Sequence, residues 1–184
     1  MPRHFYSGAD SMLHMPRKKA KREEKHIPYW PFGLLSFAVL LAIDQYTKHA
    51  IATGYALGQT RHLFSIFSFT YVQNTGALWS SFQGMNGAFI WLSVIAFGAL
   101  IYYHDAFTTL AEKISYTLIL TGLWGNLLDR LAYGFVVDFI SVGWWPVFNI
   151  ADSAINVGIV IYLLEQWRTR IPRDRKASPG GRSA

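Results

Sequence analysis

The chain has 184 residues, of which 52% are hydrophobic and only 15% charged, and it contains no cysteine. An ordinary soluble domain carries about 25% charged residues, so the composition points toward a membrane protein. The missing thiol excludes disulfides, thiol catalysis, thiolate metal sites and lipidation of the chain's own cysteine. The net charge of +6 sits at the two ends, with seven Lys or Arg in residues 1–27 and six in residues 168–182. Basic flanks beside apolar spans are explained more simply by membrane topology than by nucleic-acid binding, and no nucleic-acid partner is expected.

Residues 1–27 read as a flexible basic tail, and Met15 opens a second Met-Pro-Arg that offers a later start. Four apolar stretches follow, each near the roughly 20 residues that cross a bilayer. They run over about 31–52, 87–103, 114–131 and 147–167. The first lies too far into the chain, and lacks the small-residue cleavage site, to be a removable signal peptide. Between the first two, residues 53–86 contain LFSIFSFTYVQN, whose Phe, Tyr, Ile, Val and Thr content predicts one or more β-strands. An open sheet edge is excluded from hydrocarbon, so a small sheet at the membrane surface is expected. Residues 168–184 read as a second basic tail.

The reading is therefore an all-α integral membrane protein with four transmembrane helices and a small extracytoplasmic β segment between helices 1 and 2. The strongly basic tails put both termini in the cytoplasm, and the 104–113 connection with them. The first outer connection has only Arg61, and the third has no Lys or Arg. His4, His14 and His26 lie in the N-terminal tail. His49, His62 and His104 are scattered without metal-ligand spacing, so no metal or other cofactor is expected.

Charges inside spans cost about 2.5–3.5 kcal/mol each at mid-span on insertion scales, so each needs a reason. Asp44 and Lys48 stand four apart on one helix face and can pair. Gly122, Asn126 and Asp129 or Arg130 follow one face of the third span. Asn149, Asp152 and Asn156 follow one face of the fourth. With this topology, nearly all of them gather near the outer interface, together with Asn74, Gly76 and Asp138, while the inner halves of spans two and four read as apolar. Structural readings stand beside functional ones: an Asp44–Lys48 ion pair, helix-to-helix hydrogen bonds from Asn126 and Asn149, and Trp144 and Trp145 as interfacial anchors. Asp138 and Asp152 differ from these. Neither has a basic residue at helical spacing, and the stretch between them is short enough to bring them together.

Two close carboxyl groups cannot both ionise cheaply, so one keeps a proton. Such a pair supplies a base that activates water and an acid that polarises a carbonyl, which is aspartic peptide hydrolysis. No GxSxG motif competes. The rival readings are a proton-relaying transporter, which calls for acids through the whole depth of the membrane, and a structural module in which the acids are braces.

The segments DQYTK (44–48), NTGALWS (74–80), GNLLDR (125–130), VVDF (136–139) and FNIAD (148–152) resemble, in order and separation, those of the lipoprotein signal peptidases (signal peptidase II), bacterial inner-membrane aspartic proteases. The resemblance implies a catalytic dyad at Asp138 and Asp152, with supporting roles for Asp44, Lys48, Asn74, Gly76, Gly122, Asn126, Asp129, Arg130, Asn149 and Ala151. Asn74 and Arg130 are implied as substrate contacts. It also implies a prolipoprotein substrate bearing diacylglycerol on its cysteine, cut just before that cysteine at the outer face of the inner membrane. Membrane lipid is the surrounding partner. A site complete within one chain makes a monomer sufficient. One departure is Leu78 after Ala77, where the family usually has two small residues.

Overall fold

The computed structural model describes residues 28–76 and 86–170. The basic tails (apart from Arg168 and Arg170), Met15 and the Ala77–Leu78 departure lie outside the described residues. Four helices and one small sheet account for most of the rest: α1 (Trp30–Gly54), β1 (Thr60–Phe64), β2 (Phe67–Asn74), α2 (Asn86–Tyr102), α3 (Leu110–Tyr133), β3 (Val136–Val142) and α4 (Ile150–Arg170).

Each boundary has a local cause. Pro31 stands in the first turn of α1, where its missing N–H costs nothing. α3 begins four residues before the expected position because Thr109 and Glu112 form a capping box: the Thr109 hydroxyl accepts from the Glu112 N–H, and the Glu112 carboxylate accepts from the Thr109 N–H. α3 stops at Gly134, whose left-handed backbone (φ 79°) suits glycine and whose N–H closes onto the Arg130 carbonyl. α4 begins at Ile150, three residues later than expected. Phe148 is still bonded to β3, its N–H donating to the Ile140 carbonyl and its own carbonyl accepting from Phe139 and Ile140.

α3 is the central helix and touches α1, α2 and α4, the last most extensively. Small residues let α3 and α4 close. A Cβ on Gly122 would overlap the Ala151 carbonyl oxygen, and one on Gly158 would meet Ile119 and the Ser115 carbonyl. Ser115 Oγ donates to the Gly158 carbonyl at 2.7 Å.

The sheet corrects the expectation that the β segment belongs only between helices 1 and 2. It is antiparallel with order β1-β2-β3, and its third strand is VVDFISV from the connection between α3 and α4. Val136, Val137 and Phe139 are all buried together with Asp138. This strand therefore lacks the alternation of a half-buried one and reads in sequence as the apolar end of a helix. In the β2–β3 register, Val72 lies opposite Asp138 and Asn74 opposite Val136. Ile51, Tyr71, Val137 and Phe139 form the core that ties the sheet to the end of α1.

None of the described helices is long and apolar enough, by mean hydropathy, to cross a membrane. α2 carries no charge but has only 17 residues, and in α1 and α3 the averages are lowered by polar residues that turn inward. Asp44, Lys48, Ser115, Thr117, Thr121, Asn126 and Asp129 are buried, whereas Phe32, Leu34, Leu35, Trp91, Leu92, Ile95, Leu163 and Leu164 are exposed.

Candidate active site

The site is assembled on three supports: the C-terminal half of α1 with the end of α3, the paired strands β2 and β3, and the first turn of α4. Lys48 is the hub of the first. It is 2% exposed. Its ammonium lies 2.8 Å from Asp44 Oδ2 and 2.9 Å from Asp129 Oδ2, and donates to Asn126 Oδ1 at 3.0 Å. The expected Asp44–Lys48 pair is thus part of a three-residue ion cluster. Asp44 also reaches α4, accepting the Ala151 N–H at 2.9 Å. Asp129 reaches β3 by accepting the Val137 N–H at 3.3 Å. Buried charges are tolerable only with such partners.

The second support carries Asp138, which is 2% exposed. Gly76 N–H donates to Asn74 Oδ1 at 2.9 Å, forming an Asx-type turn that aims the Asn74 amide. That amide donates to Asp138 Oδ2 at 2.8 Å. The other oxygen, Oδ1, accepts from Asn149 Nδ2 at 2.7 Å.

The third support is a capping box. Asn149 precedes α4, and its Oδ1 accepts the Asp152 N–H at 2.8 Å while Asp152 Oδ2 accepts the Asn149 N–H at 3.1 Å. Asp152 Oδ1 accepts from Asn126 Nδ2 at 2.7 Å. Asn126 and Asn149 are joined directly, Asn149 Nδ2 donating to Asn126 Oδ1 at 3.1 Å. A single residue, Asn149, therefore holds both carboxylates, one through its side chain and the other through its backbone. Gly122 contributes by the close approach that seats Ala151, and with it the first turn of α4, against α3.

Burial, and next the neighbouring Asp152 charge, push the Asp138 carboxyl from the usual 3.8 up to about 7; the Asn74 and Asn149 amides and Lys48 work in the opposite direction. Asp138 and Asp152 border one cavity of about 740 Å³, together with Asn74, Gly76, Phe89, Arg130, Trp145 and Asn156. Arg130 lies over the Phe89 ring at 5.4 Å, and its buried Nε has no hydrogen-bond partner among the described residues. A larger cavity, about 830 Å³, lies at the opposite end among Tyr29, Trp30, Phe37, Phe107 and Tyr116. It is bordered by only one carboxylate, Asp105.

All twelve residues singled out in the sequence lie in or directly against this assembly. Gln45 was missed. Its amide lies 3.0 Å from Asp129 Oδ1 and 3.2 Å from both Asp44 Oδ2 and the Gly125 carbonyl. Its place beside Asp44 was the only available signal. Phe89 had none. The expectation that the C-terminal half of the fourth apolar stretch carries no charge needs correction. Glu165 is buried there and bound by Arg168 at 3.0 Å, and Glu112 is buried at the start of α3. Both stand at helix ends, where partners are within reach.

Four helices carrying a small sheet, with two amide-held aspartates beside a cavity, are the arrangement that aspartic peptide hydrolysis calls for. The family model for signal peptidase (SPase) II matches residues 36–168. The lipoprotein signal peptidase of Psychromonas ingrahamii is 35% identical over 156 residues, covering 79% of this chain and 90% of that protein. The lipoprotein signal peptidase of Fusobacterium nucleatum is 38% identical over 135 residues, covering 70% and 82%. A solved structure described as a bacterial membrane enzyme, determined in meso at 2.3 Å, superposes with a TM-score of 0.74 at 29% identity, covering 80% of this chain and 94% of that one. The chain belongs to the signal peptidase II family.

Proposed function

We propose that this chain is an aspartic endopeptidase that removes signal peptides from prolipoproteins, with Asp138 and Asp152 as its catalytic pair. The observation that carries the pair is their common attachment to Asn149 at the wall of one cavity. The pair holds one proton between them near neutrality. We place it on Asp138, the more deeply buried of the two, whose carboxyl is held, among the described residues, only by the Asn74 and Asn149 side-chain amides. Asp152 then takes a proton from water as its oxygen attacks the scissile carbonyl carbon. Asp138 donates its hydrogen bond to the carbonyl oxygen as negative charge develops there. Collapse of the tetrahedral intermediate breaks the C–N bond, and the departing nitrogen takes up the proton held by Asp152. Arg130, with an unused Nε donor, serves the substrate backbone.

The finer reading is a unit over residues 28–167 with four membrane-spanning helices, basic cytoplasmic tails and the site at the outer face of the inner membrane. Its support is the inversion of polarity: charged and amide side chains inside, Leu, Trp, Phe and Ile outside. The basic ends and sparsely charged connections support the orientation. The substrate carries diacylglycerol on the cysteine that follows the cut, and one chain suffices. The test is cleavage of a purified diacylglyceryl prolipoprotein by Asp138→Asn and Asp152→Asn. Each variant should remain folded and lose about 10²–10⁴-fold or more in kcat. Near-normal cleavage by either would remove the dyad assignment.

A further inference from the structure

Asn156 stands on the same face of α4 as Asp152, one turn further along, and the chemistry above does not use it. It is exposed and borders the cavity shared by the two aspartates. Its Nδ2 donates to the Asp152 carbonyl at 2.9 Å, which orients the amide, while its Oδ1 accepts no hydrogen bond among the described residues. The neighbouring Ser153 has its hydroxyl committed to the Asn149 carbonyl at 2.9 Å. Along the same helix, Val157, Ile159, Val160 and Leu163 are exposed and apolar. An amide oxygen held in a fixed direction at the rim of a cavity, amid apolar neighbours, is an acceptor awaiting a donor.

We propose that Asn156 Oδ1 binds a backbone N–H of the substrate on the signal-peptide side of the cut. This rests on the peptidase reading and deepens it. A signal peptide crosses the bilayer as a helix with its backbone groups paired internally. To lay a peptide bond against two carboxylates it must be extended, and the freed N–H groups then need acceptors where water is scarce. Asn156 supplies one. Four residues of helix place it about 6 Å along α4 from Asp152, and an extended chain covers about 3.3 Å per residue. Its donor is therefore about two residues before the scissile bond. Phe89 and Val157, on the same cavity wall, leave the contact to a backbone group.

The test uses the full-length enzyme and synthetic signal-peptide fragments ending in S-diacylglyceryl cysteine and a short mature segment. Asn156→Leu keeps the size, removes the acceptor and disturbs no tertiary hydrogen bond. It should unfold at the wild-type temperature and raise KM five- to tenfold with kcat within about twofold. Asn156→Gln should restore most of the loss. A second set of substrates replaces a backbone N–H by an ester oxygen at the second or third residue before the cut. One of these esters should raise KM for the wild type and have no added effect on Asn156→Leu. An unchanged KM in Asn156→Leu, or an ester penalty that persists in that variant, overturns the assignment. Failure of the wild-type enzyme to cut the all-amide fragment would instead strike the peptidase reading itself.

Discussion

The first turns of α3 and α4 share a motif and part in what they do. In both, the third helical residue is an acid whose carboxylate reaches back to the capping residue: Glu112 to Thr109, and Asp152 to Asn149. At α3 both carboxylate oxygens are closed, one by the capping turn itself and the other by Gln166 of α4. Glu112 Oε2 accepts the Thr108 and Thr109 N–H groups, each at 2.9 Å, and Oε1 accepts from Gln166 at 2.7 Å. At α4 the carboxylate borders a cavity, and its capping residue also holds a second acid, Asp138. A capping box by itself is a device for starting a helix. It becomes a place for chemistry when the fold brings another ionisable group and room for substrate to the same turn.

The comparison can be broken by exchanging what each acid has lost. Asp152→Asn should lower kcat by about 10²–10⁴-fold, whereas Glu112→Gln should leave kcat for prolipoprotein within twofold. Equal losses in the two variants would erase the distinction. Lys48→Met comes next. It leaves Asp44 and Asp129 buried without their cation, and thermal unfolding in detergent should report a loss of about 3–5 kcal/mol.

The two ends should respond to pH in opposite senses. The backbone N–H of Thr109 holds the Glu112 carboxyl below its ordinary range, so its contribution is lost only as pH falls into the acid range, while the response toward neutral pH belongs to the α4 end. Folding raises the affinity of Asp138 for its proton from 3.8 to about 7. Over that interval the folded state binds more protons than the unfolded one, so stability falls as pH rises from about 4 to 7. Asp138→Asn should flatten that slope in pH-dependent melting, and Glu112→Gln should not. In the wild type, kcat/KM should fall above about pH 7 as Asp138 gives up its proton. A profile still rising past pH 9 would contradict the assignment.

Gly122→Ala is a gentler probe of how α4 is seated. The added methyl meets the Ala151 carbonyl and should cost about 1–3 kcal/mol of stability, with a measurable drop in kcat. The smallest effect is expected from Glu112→Gln itself, about 0.5–2 kcal/mol in thermal unfolding, typical of weakening a cap.

Much of this arrangement was legible in the residues. Asp44 and Lys48 at helical spacing announced a pair, and the run of polar side chains on one face of each of three helices announced a common level. The strand around Asp138 was not legible. VVDFISV is buried along most of its length, so it lacks the alternation that marks a half-buried strand. The capping box at Asn149 was hidden as well, because an asparagine and an aspartate three apart on an apolar stretch also read as inward-facing helix residues. Gln45 and Phe89 could not be assigned, since a glutamine beside an acid and a phenylalanine in an apolar helix are ordinary in sequence.

Hydropathy, charge and spacing along one chain were enough to place four helical stretches, the basic ends and the acids. Only the tertiary structure decided that Asn149 joins Asp138 to Asp152, that Lys48 is shared by Asp44 and Asp129, and that one of the cavities faces paired aspartates. Those facts depend on which side chains from distant segments lie within about 3 Å of one another. Spacing along a single helix or strand fixes a direction for each side chain and leaves its partners to the fold.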